Sequence, residues 1–207
     1  MSFIENTNAA VERAISRYKQ CDKAEQSILR VLAVTNKRLG QTKFKVLLKE
    51  LSDMDCFYQQ KLSSHFSLEL KNKLITSGLI DANPKGLKIS IFLANYLCRL
   101  CVEDQSYEEI VDAAEEIVPI MQMMHWSEPD LVDKQRLVRD FFYRNRFDMA
   151  QELLKFHKNP QLIDHQFNQC LVELCFYPLN LKVLWTLNGD MQYQAFASLL
   201  YGLREKL

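Results

Sequence analysis

The chain has 207 residues, which is enough for one sizeable core or for two small domains of about 80 to 120 residues each. Its composition, with 48% hydrophobic and 25% charged residues, is that of an ordinary soluble globular protein. The 26 basic residues balance 26 acidic residues, and the apolar runs are far shorter than the roughly 20 residues that cross a bilayer, so we expect no membrane association.

The N-terminus and the cysteines both predict a cytoplasmic location. Acidic Glu5 and Glu12 occupy the N-terminus, and no basic segment precedes an apolar run, so a signal peptide is not expected. The six cysteines lie mostly within apolar helical patterns, where a free cysteine acts as a small hydrophobe. Cys98 and Cys101 form a CxxC, but no second CxxC or HxxxH pair completes four ligands. We therefore interpret them as packing residues and expect no metal and no cofactor.

Charge is distributed unevenly along the chain. Residues 22–90 carry twelve basic and seven acidic side chains, and residues 100–133 carry ten acidic and no basic ones. Residues 134–207 return to ten basic and seven acidic side chains. This alternation predicts distinct faces or modules that meet different partners.

Glycine and proline number five each, and apolar residues recur at three- and four-residue spacing, so we predict a mainly helical protein. A first helix is predicted over residues 6–20. Asp22 followed by Glu25 is typical of a capping box, which predicts a second helix from about residue 23 to 38. Gly40 is predicted to end that helix.

A third helix is predicted from Thr42 to Leu51, with its apolar positions facing inward. Residues 54–77 continue the helical pattern, and a shift of the apolar face predicts a break near Ser63-Ser64. Gly78 is predicted to end the last of these helices.

One β-hairpin is predicted in the chain. Leu79-Ile80 starts a strand, Asn83-Pro84-Lys85-Gly86 supplies turn residues, and Leu87-Lys88-Ile89-Ser90 alternates as a second strand. The IFLANYLCRLCVE segment that follows is predicted to be helical again.

The second half is predicted to consist of helices only. A helix after Asp104 ends or kinks near Pro119, and Pro129-Asp130 begins one arm of a helical hairpin whose turn is Arg144-Asn145-Arg146. Phe147 to His157 forms the other arm. Further helices are predicted over residues 161–176, 179–187 and 191–206, with a turn at Gly189-Asp190 before the last.

Three helices, then LITSGLI, a Pro/Gly turn and an alternating strand resemble the winged-helix family of helix-turn-helix domains over about residues 22–95. The resemblance implies that the helix ending at Gly78 enters the major groove of double-stranded DNA and that the hairpin contacts phosphates or the minor groove. The residues it marks for nucleic-acid binding are Lys43, Lys45, Lys71, Asn72, Lys73, Lys85 and Lys88. A winged helix used for protein interaction or dimerisation, with those lysines as a solvated face, stays open as the alternative.

The second half resembles tetratricopeptide-like helical repeats. In LVRDFFYRNRFDMAQELLKFHKNP, an apolar helix and a polar turn precede aromatic Phe147, small Ala150 and Pro160, and a small residue there lets two helices approach closely. Tyr107 and Tyr193 stand in similar contexts. An irregular helical bundle stays open as the alternative to repeats.

The motifs of common enzymes are absent from the sequence. The scattered glycines cannot form a P-loop or a GxGxxG turn, and neither GxSxG nor HExxH occurs, so we expect no enzyme. A row of carboxylates on one predicted helix face has no ExxH partner for a di-metal site. We interpret the row as a solvated acidic face that also suits docking of a basic protein, and its members are Glu108, Asp112, Glu115 and Glu116.

These patterns predict a mainly α chain with an N-terminal helix at 1–21, a winged-helix-like module with one short β-hairpin at 22–102, and an antiparallel helical-hairpin or repeat-like bundle at 103–207. The expected function is non-enzymatic binding of nucleic acid and protein. A protein-interaction or dimerisation scaffold without DNA binding is the alternative, and homo-oligomers fit either. The final LYGLREKL helix lacks a closing polar cap, so we expect the chain to be the N-terminal regulatory or accessory part of a larger protein.

Overall fold

The computed structural model describes residues 3–52, 57, 61–119, 131–146, 148–149, 171–176 and 179–204. These residues are mainly helical, as predicted, and carry one small two-stranded antiparallel sheet. The helices are α1 Phe3–Lys19, α2 Lys23–Thr35, α3 Gln41–Leu51, α4 Leu62–His65, α5 Leu68–Thr76, α6 Ile91–Glu103, α7 Tyr107–Ile117, α8 Leu131–Tyr143, α9 Leu181–Thr186 and α10 Gly189–Arg204, and the strands are β1 Ile80–Asn83 and β2 Gly86–Ile89.

The chain divides into two compact units. One comprises Glu12–Pro129, and the other comprises Met1–Val11 together with Asp130–Leu207. None of the described helices combines the length and the apolar character that a membrane crossing requires.

The start of α2 follows the prediction, whereas its end does not. The Asp22 side chain accepts a hydrogen bond from the Glu25 amide at 2.8 Å, and the Glu25 carboxylate accepts one from the Asp22 amide at 3.2 Å. This reciprocal pair is the predicted capping box. The helix ends at Thr35 because Asn36 adopts a left-handed conformation with φ 41°, and Gly40 is instead the N-cap of α3.

Leu39 lies in a strand-like segment and not on a helix face. Its amide donates to the Leu87 carbonyl at 2.9 Å, and the Leu87 amide donates to the Leu39 carbonyl at 2.8 Å. The bridge is antiparallel, so the segment at Leu39 lies along β2 on the side away from β1. A periodic apolar pattern cannot reveal such a pairing between residues far apart in the sequence.

The break between α4 and α5 falls later than Ser63-Ser64. It lies at Phe66-Ser67, where the Ser67 side chain accepts a hydrogen bond from the Leu70 amide at 3.1 Å and so caps α5. Phe66 is buried and packs edge-to-face on Phe44 with ring centroids 5.0 Å apart. The aromatic contact fixes the point at which the chain changes direction.

The predicted hairpin is present, and its turn consists of Pro84 and Lys85 because Asn83 and Gly86 belong to the strands. Ile80 pairs with Ile89 and Ala82 with Leu87, and these positions face the core or are partly covered. The alternate positions Asp81 and Lys88 pair on the other face, as the period of two requires.

Within the unit 12–129, α2 packs against α6 and α7, and α3 packs against α4 and α7. The interior contains fully buried apolar side chains from α2 and α3, and Cys98 and Cys101 of α6 lie among the core residues. This unit extends beyond residue 102, where we predicted a module boundary. Whether residues 22–102 fold independently stays a prediction.

Within the other unit, α8 and the turn at Arg144-Asn145 follow the prediction. The second arm predicted for the helical hairpin lies almost wholly outside the described residues, so the repeat-like arrangement stays a prediction. Gly189-Asp190 is the first turn of α10 and not a separate turn, because the Asn188 side chain accepts a hydrogen bond from the Met191 amide at 2.9 Å.

Candidate nucleic-acid interface

The predicted recognition helix is α5, and its outward stripe carries no cation. Leu70 and Leu74 face the core, which directs Asn72 outward from the opposite side. Leu68 and Thr76 lie one turn before and after Asn72, and Leu68 is 61% exposed. The centre of α5 therefore presents a partly apolar strip without a cation, which exposed Glu69 borders at the start of the helix.

The two lysines of α5 point towards different neighbours. Lys71 and Lys73 are two residues apart, which separates their side chains by about 200° around the helix axis. Lys71 is half-buried, and its Nζ donates to Gln41 Oε1 at the start of α3 at 3.4 Å. It is held at the N-terminus of the neighbouring helix.

Lys73 forms an ion pair inside the unit. Its Nζ lies 2.5 Å from Glu25 Oε1, and the Glu25 side chain is only 6% exposed while that of Lys73 is 61% exposed. The hydrogen bond to Glu25 raises the pKa of Lys73. Glu25 thus closes the α2 capping box with one oxygen and holds α5 with the other.

The C-terminal end of α5 is also fixed. The Arg17 guanidinium donates to the Ser77 carbonyl at 2.7 Å, and Gly78 follows with φ 70°, where a residue with a side chain would be strained. These contacts set the direction in which the chain leaves α5 and enters the hairpin.

The hairpin turn lies against the residues that lead into α3. A Cβ placed on Gly86 would come within 2.2 Å of the Leu39 carbonyl oxygen and 2.7 Å of the Gly40 amide nitrogen. Lys85, the residue before Gly86, is exposed. The turn is closed by the Asn83 side chain, which accepts a hydrogen bond from the Lys85 amide at 2.8 Å.

Three of the predicted cations belong to segments that border the N-terminus of α3. Gly40 provides no side-chain cap, so the first-turn amides are not satisfied by a capping side chain. Lys43 is exposed within this first turn, Lys71 reaches it from α5, and the turn that carries Lys85 lies beside it. We call Lys43, Lys71, Lys85 and the first turn of α3 the basic corner.

Lys45 and Lys88 lie outside the basic corner. Lys45 follows Gln41 by four residues and so lies on the same side of α3 as the Lys71 contact, but it belongs to the second turn and not to the uncapped first turn. Lys88 lies on the outer face of the hairpin opposite Asp81. Asp81 also pairs with Arg38, whose guanidinium donates to the Gly86 carbonyl at 3.1 Å.

The predicted protein-binding carboxylates lie on one side of α7. Buried Tyr107, Ile110 and Ala114 occupy the inward side of that helix. Glu108, Asp112, Glu115 and Glu116 are all exposed. Their spacing of four, three and one residues places them within about a third of the helix circumference.

The cysteines of the described residues raise two further questions, metal binding and thiol reactivity. No group of three or more His, Cys, Asp or Glu side chains in the described residues could hold a metal ion. Burial raises the pKa of the Cys101 thiol to about 12 and that of the Cys21 thiol to about 11, so neither is a reactive thiolate at neutral pH.

Sequence reasoning missed two residues that shape this surface. Gln41 positions Lys71, and no local pattern distinguishes it from any other polar residue at a helix start. Glu25 positions Lys73 across 48 residues of sequence. The capping-box pattern predicts the role of Glu25 at the start of α2 but gives no sign that Glu25 also binds Lys73.

Comparisons with known proteins identify no relative of this chain. No protein-family model, no curated protein and no solved structure matches this chain.

Proposed function

We propose that residues 22–95 form a winged-helix domain that binds double-stranded nucleic acid through the basic corner. The element order supports the domain assignment: α2, the strand segment at Leu39, α3, then α5 and the β1-β2 hairpin. Pairing of the Leu39 segment with β2 is a further support, because it ties the hairpin to the segment between α2 and α3. The module acts as a binding domain and not as an enzyme.

The observation that carries the binding proposal is the contact between Lys71 and Gln41. It places a cation of α5 at the uncapped N-terminus of α3, where the backbone amides and the helix dipole favour an anion. Lys43 and Lys85 add two exposed ammonium groups beside the same helix end. Phosphate oxygens fit this arrangement because they accept from ammonium and amide groups together.

The proposed contacts are to the backbone and not to bases. The outward strip of α5 has only Asn72 and Thr76 as side chains that can contact base edges, and neither is an arginine or lysine. We leave Lys73 out of the phosphate contacts because Glu25 already holds its ammonium. Binding is therefore expected to be weak, sensitive to salt and largely independent of sequence.

Fluorescence anisotropy with a labelled random duplex and the full chain tests this proposal. With about three phosphate contacts, affinity should fall about 40-fold between 50 and 200 mM salt. Lys71→Ala should weaken binding at 50 mM salt and reduce the logarithmic salt slope by about one. Lys49→Ala is the matched control, because Lys49 is also a lysine but lies exposed in the last turn of α3, at the end of that helix away from the basic corner.

Two results would contradict the proposal. One is no binding at 50 mM salt. The other is an equal loss of affinity in Lys71→Ala and Lys49→Ala, since that would mean that net charge matters and the basic corner does not.

We propose that the acidic side of α7 binds a basic protein segment. Glu115 and Glu116 lie in the last turn of α7, where the helix dipole disfavours negative charge and no basic residue is present. Glu108 and Asp112 form a like-charge pair four residues apart, and so do Asp112 and Glu116. A cationic partner would offset the unfavourable charge at the C-terminal end of α7, where Glu115 and Glu116 lie.

The second candidate function for the winged helix is protein interaction without nucleic acid. The observation that favours it is the partly apolar outward strip of α5 with exposed Leu68. If this candidate is right, Leu68→Glu abolishes partner binding in a pull-down while the duplex fails to bind at any salt concentration.

A further inference from the structure

The α9 and α10 helices expose an unusual amount of apolar side chain. On α9, Leu181 and Trp185 lie four residues apart on one side, and Trp185 is 72% exposed. On α10, Tyr193 is 74% and Leu200 is 64% exposed. With Leu179 and Phe196 these side chains form what we call the C-terminal patch.

The α10 helix is apolar on two opposite sides. Met191 and Ala195 are fully buried and define its inward side. Tyr193, Phe196 and Leu200, at positions i, i+3 and i+7, lie about 120 to 180° away from that direction. This is the anchor spacing of a helix that packs against a second surface.

Two members of the patch, Leu179 and Phe196, are linked in space through Phe176. Phe196 contacts Phe176 with ring centroids 5.5 Å apart, and Phe176 pairs through an isolated bridge with Leu179. Residues 181–186 and 189–204 are successive helices joined at Leu187-Asn188. The exposed side chains of both helices therefore belong to one structural piece that its own buried contacts hold in place.

Charge indicates what covers the patch. From Val183 to Leu203 the sequence contains a single charged residue, Asp190. A two-fold symmetric contact sets a surface against itself, so any large net charge there would repel, and this surface carries almost none. Lys182, beside Leu181, and Asp190 are the nearest charges of α9 and α10, so a strongly charged partner would find little to pair with.

The exposed area agrees with a contact of stable size. The exposed fractions of the six side chains correspond together to roughly 700 Å², close to the about 800 Å² that one partner buries in a complex of standard size. The aromatic members, Trp185, Tyr193 and Phe196, are the residue types that carry most of the binding energy at interfaces.

We propose that the C-terminal patch binds the same patch of a second copy of this chain, forming a two-fold symmetric dimer with α10 against α10. Ala197, which is small, lies beside the stripe of Tyr193 and Leu200 and lets two such helices approach closely. The dimer does not depend on nucleic-acid binding. It doubles the number of basic corners in each particle.

Sedimentation equilibrium of the full chain from about 1 to 100 μM tests the proposal. The expected result is a monomer–dimer equilibrium in which the double variant Tyr193→Glu/Leu200→Glu dissociates at least about 100-fold more readily. Both side chains are mostly exposed, so the substitutions leave the monomer fold intact, which circular dichroism and a urea titration verify. Gln194→Glu is the matched control, because it adds a carboxylate to the same helix at an exposed position away from the stripe.

A chain that stays monomeric at 100 μM would overturn the proposal, as would a dimer that the double variant does not weaken. Open-ended association into larger species would also overturn it, because a two-fold contact closes at two copies.

Discussion

Gly86 is the residue on which the junction between the hairpin and α3 depends, and Gly86→Ala tests that junction. Its φ of 126° lies in a region that residues with a side chain rarely adopt. An added Cβ would lie 2.2 Å from the Leu39 carbonyl oxygen and 2.4 Å from the Leu39 carbonyl carbon. Both neighbours are backbone atoms, so the strand segment at Leu39 must move away from β2.

The expected cost follows from two losses. The strained backbone costs about 1 to 3 kcal/mol. Separation of the two segments also removes the two hydrogen bonds between Leu39 and Leu87, each of which contributes about 1 kcal/mol. We therefore expect Gly86→Ala to lower the free energy of unfolding by about 3 to 5 kcal/mol.

Urea denaturation followed by circular dichroism measures this loss. Gly40→Ala is the matched control, because a Cβ at Gly40 meets nothing within 4 Å and its φ is −60°. We expect Gly40→Ala to change the free energy of unfolding by less than about 0.5 kcal/mol, since a small loss at the N-cap is offset by a less flexible unfolded chain. If the two variants have the same midpoint, the close approach of the hairpin to α3 is refuted.

Three further predictions concern charge and titration. Lys73→Met leaves the buried Glu25 carboxylate without its ammonium partner. The free energy of unfolding should fall by only about 1 kcal/mol, because water still reaches the lysine side of the pair and weakens it. An unchanged urea midpoint would contradict the pairing. Glu116→Lys should stabilise the chain by about 0.5 to 1 kcal/mol and so raise its melting temperature. The lysine replaces a like-charge pair with Asp112 by an attraction, and its positive charge interacts favourably with the dipole at the C-terminus of α7. A lower melting temperature would count against this reasoning. Burial raises the pKa of the Cys101 thiol from 9.0 to about 12, so the folded chain keeps a proton that the unfolded chain loses above pH 9. Between pH 9 and 12 the free energy of unfolding of the wild type should therefore fall with pH more steeply than that of Cys101→Ala, by about 1.4 kcal/mol per pH unit. Parallel pH profiles of the two proteins would refute the pKa shift.

The features that the sequence predicts well are those set by neighbours along the chain. The capping box of Asp22 and Glu25, the two-residue turn after Asn83, and the end of α7 before Pro119 all depend on contacts within about four residues. Each carries its own local signature, so a single sequence is enough to place it.

The features that the sequence does not predict depend on distant partners. Leu39 fits an apolar helical pattern, but its pairing with Leu87 places it in a strand segment. Lys71 and Lys73 look equivalent in the sequence, but one is held by Gln41 and the other by Glu25. The sequence could therefore name the lysines of the candidate surface, whereas the partner that holds each of them could not be predicted.

An amide ¹H–¹⁵N NMR titration of the full chain with a random duplex at about 50 mM salt examines the proposed binding surface atom by atom. The prediction is that the largest shifts fall on the first-turn amides of α3, Gln41 to Lys43, and on Lys71 and Lys85, and that adding salt to 200 mM reverses them. Shifts confined to the outer face of α7 or to α10, or no shifts at all, would contradict binding at the basic corner.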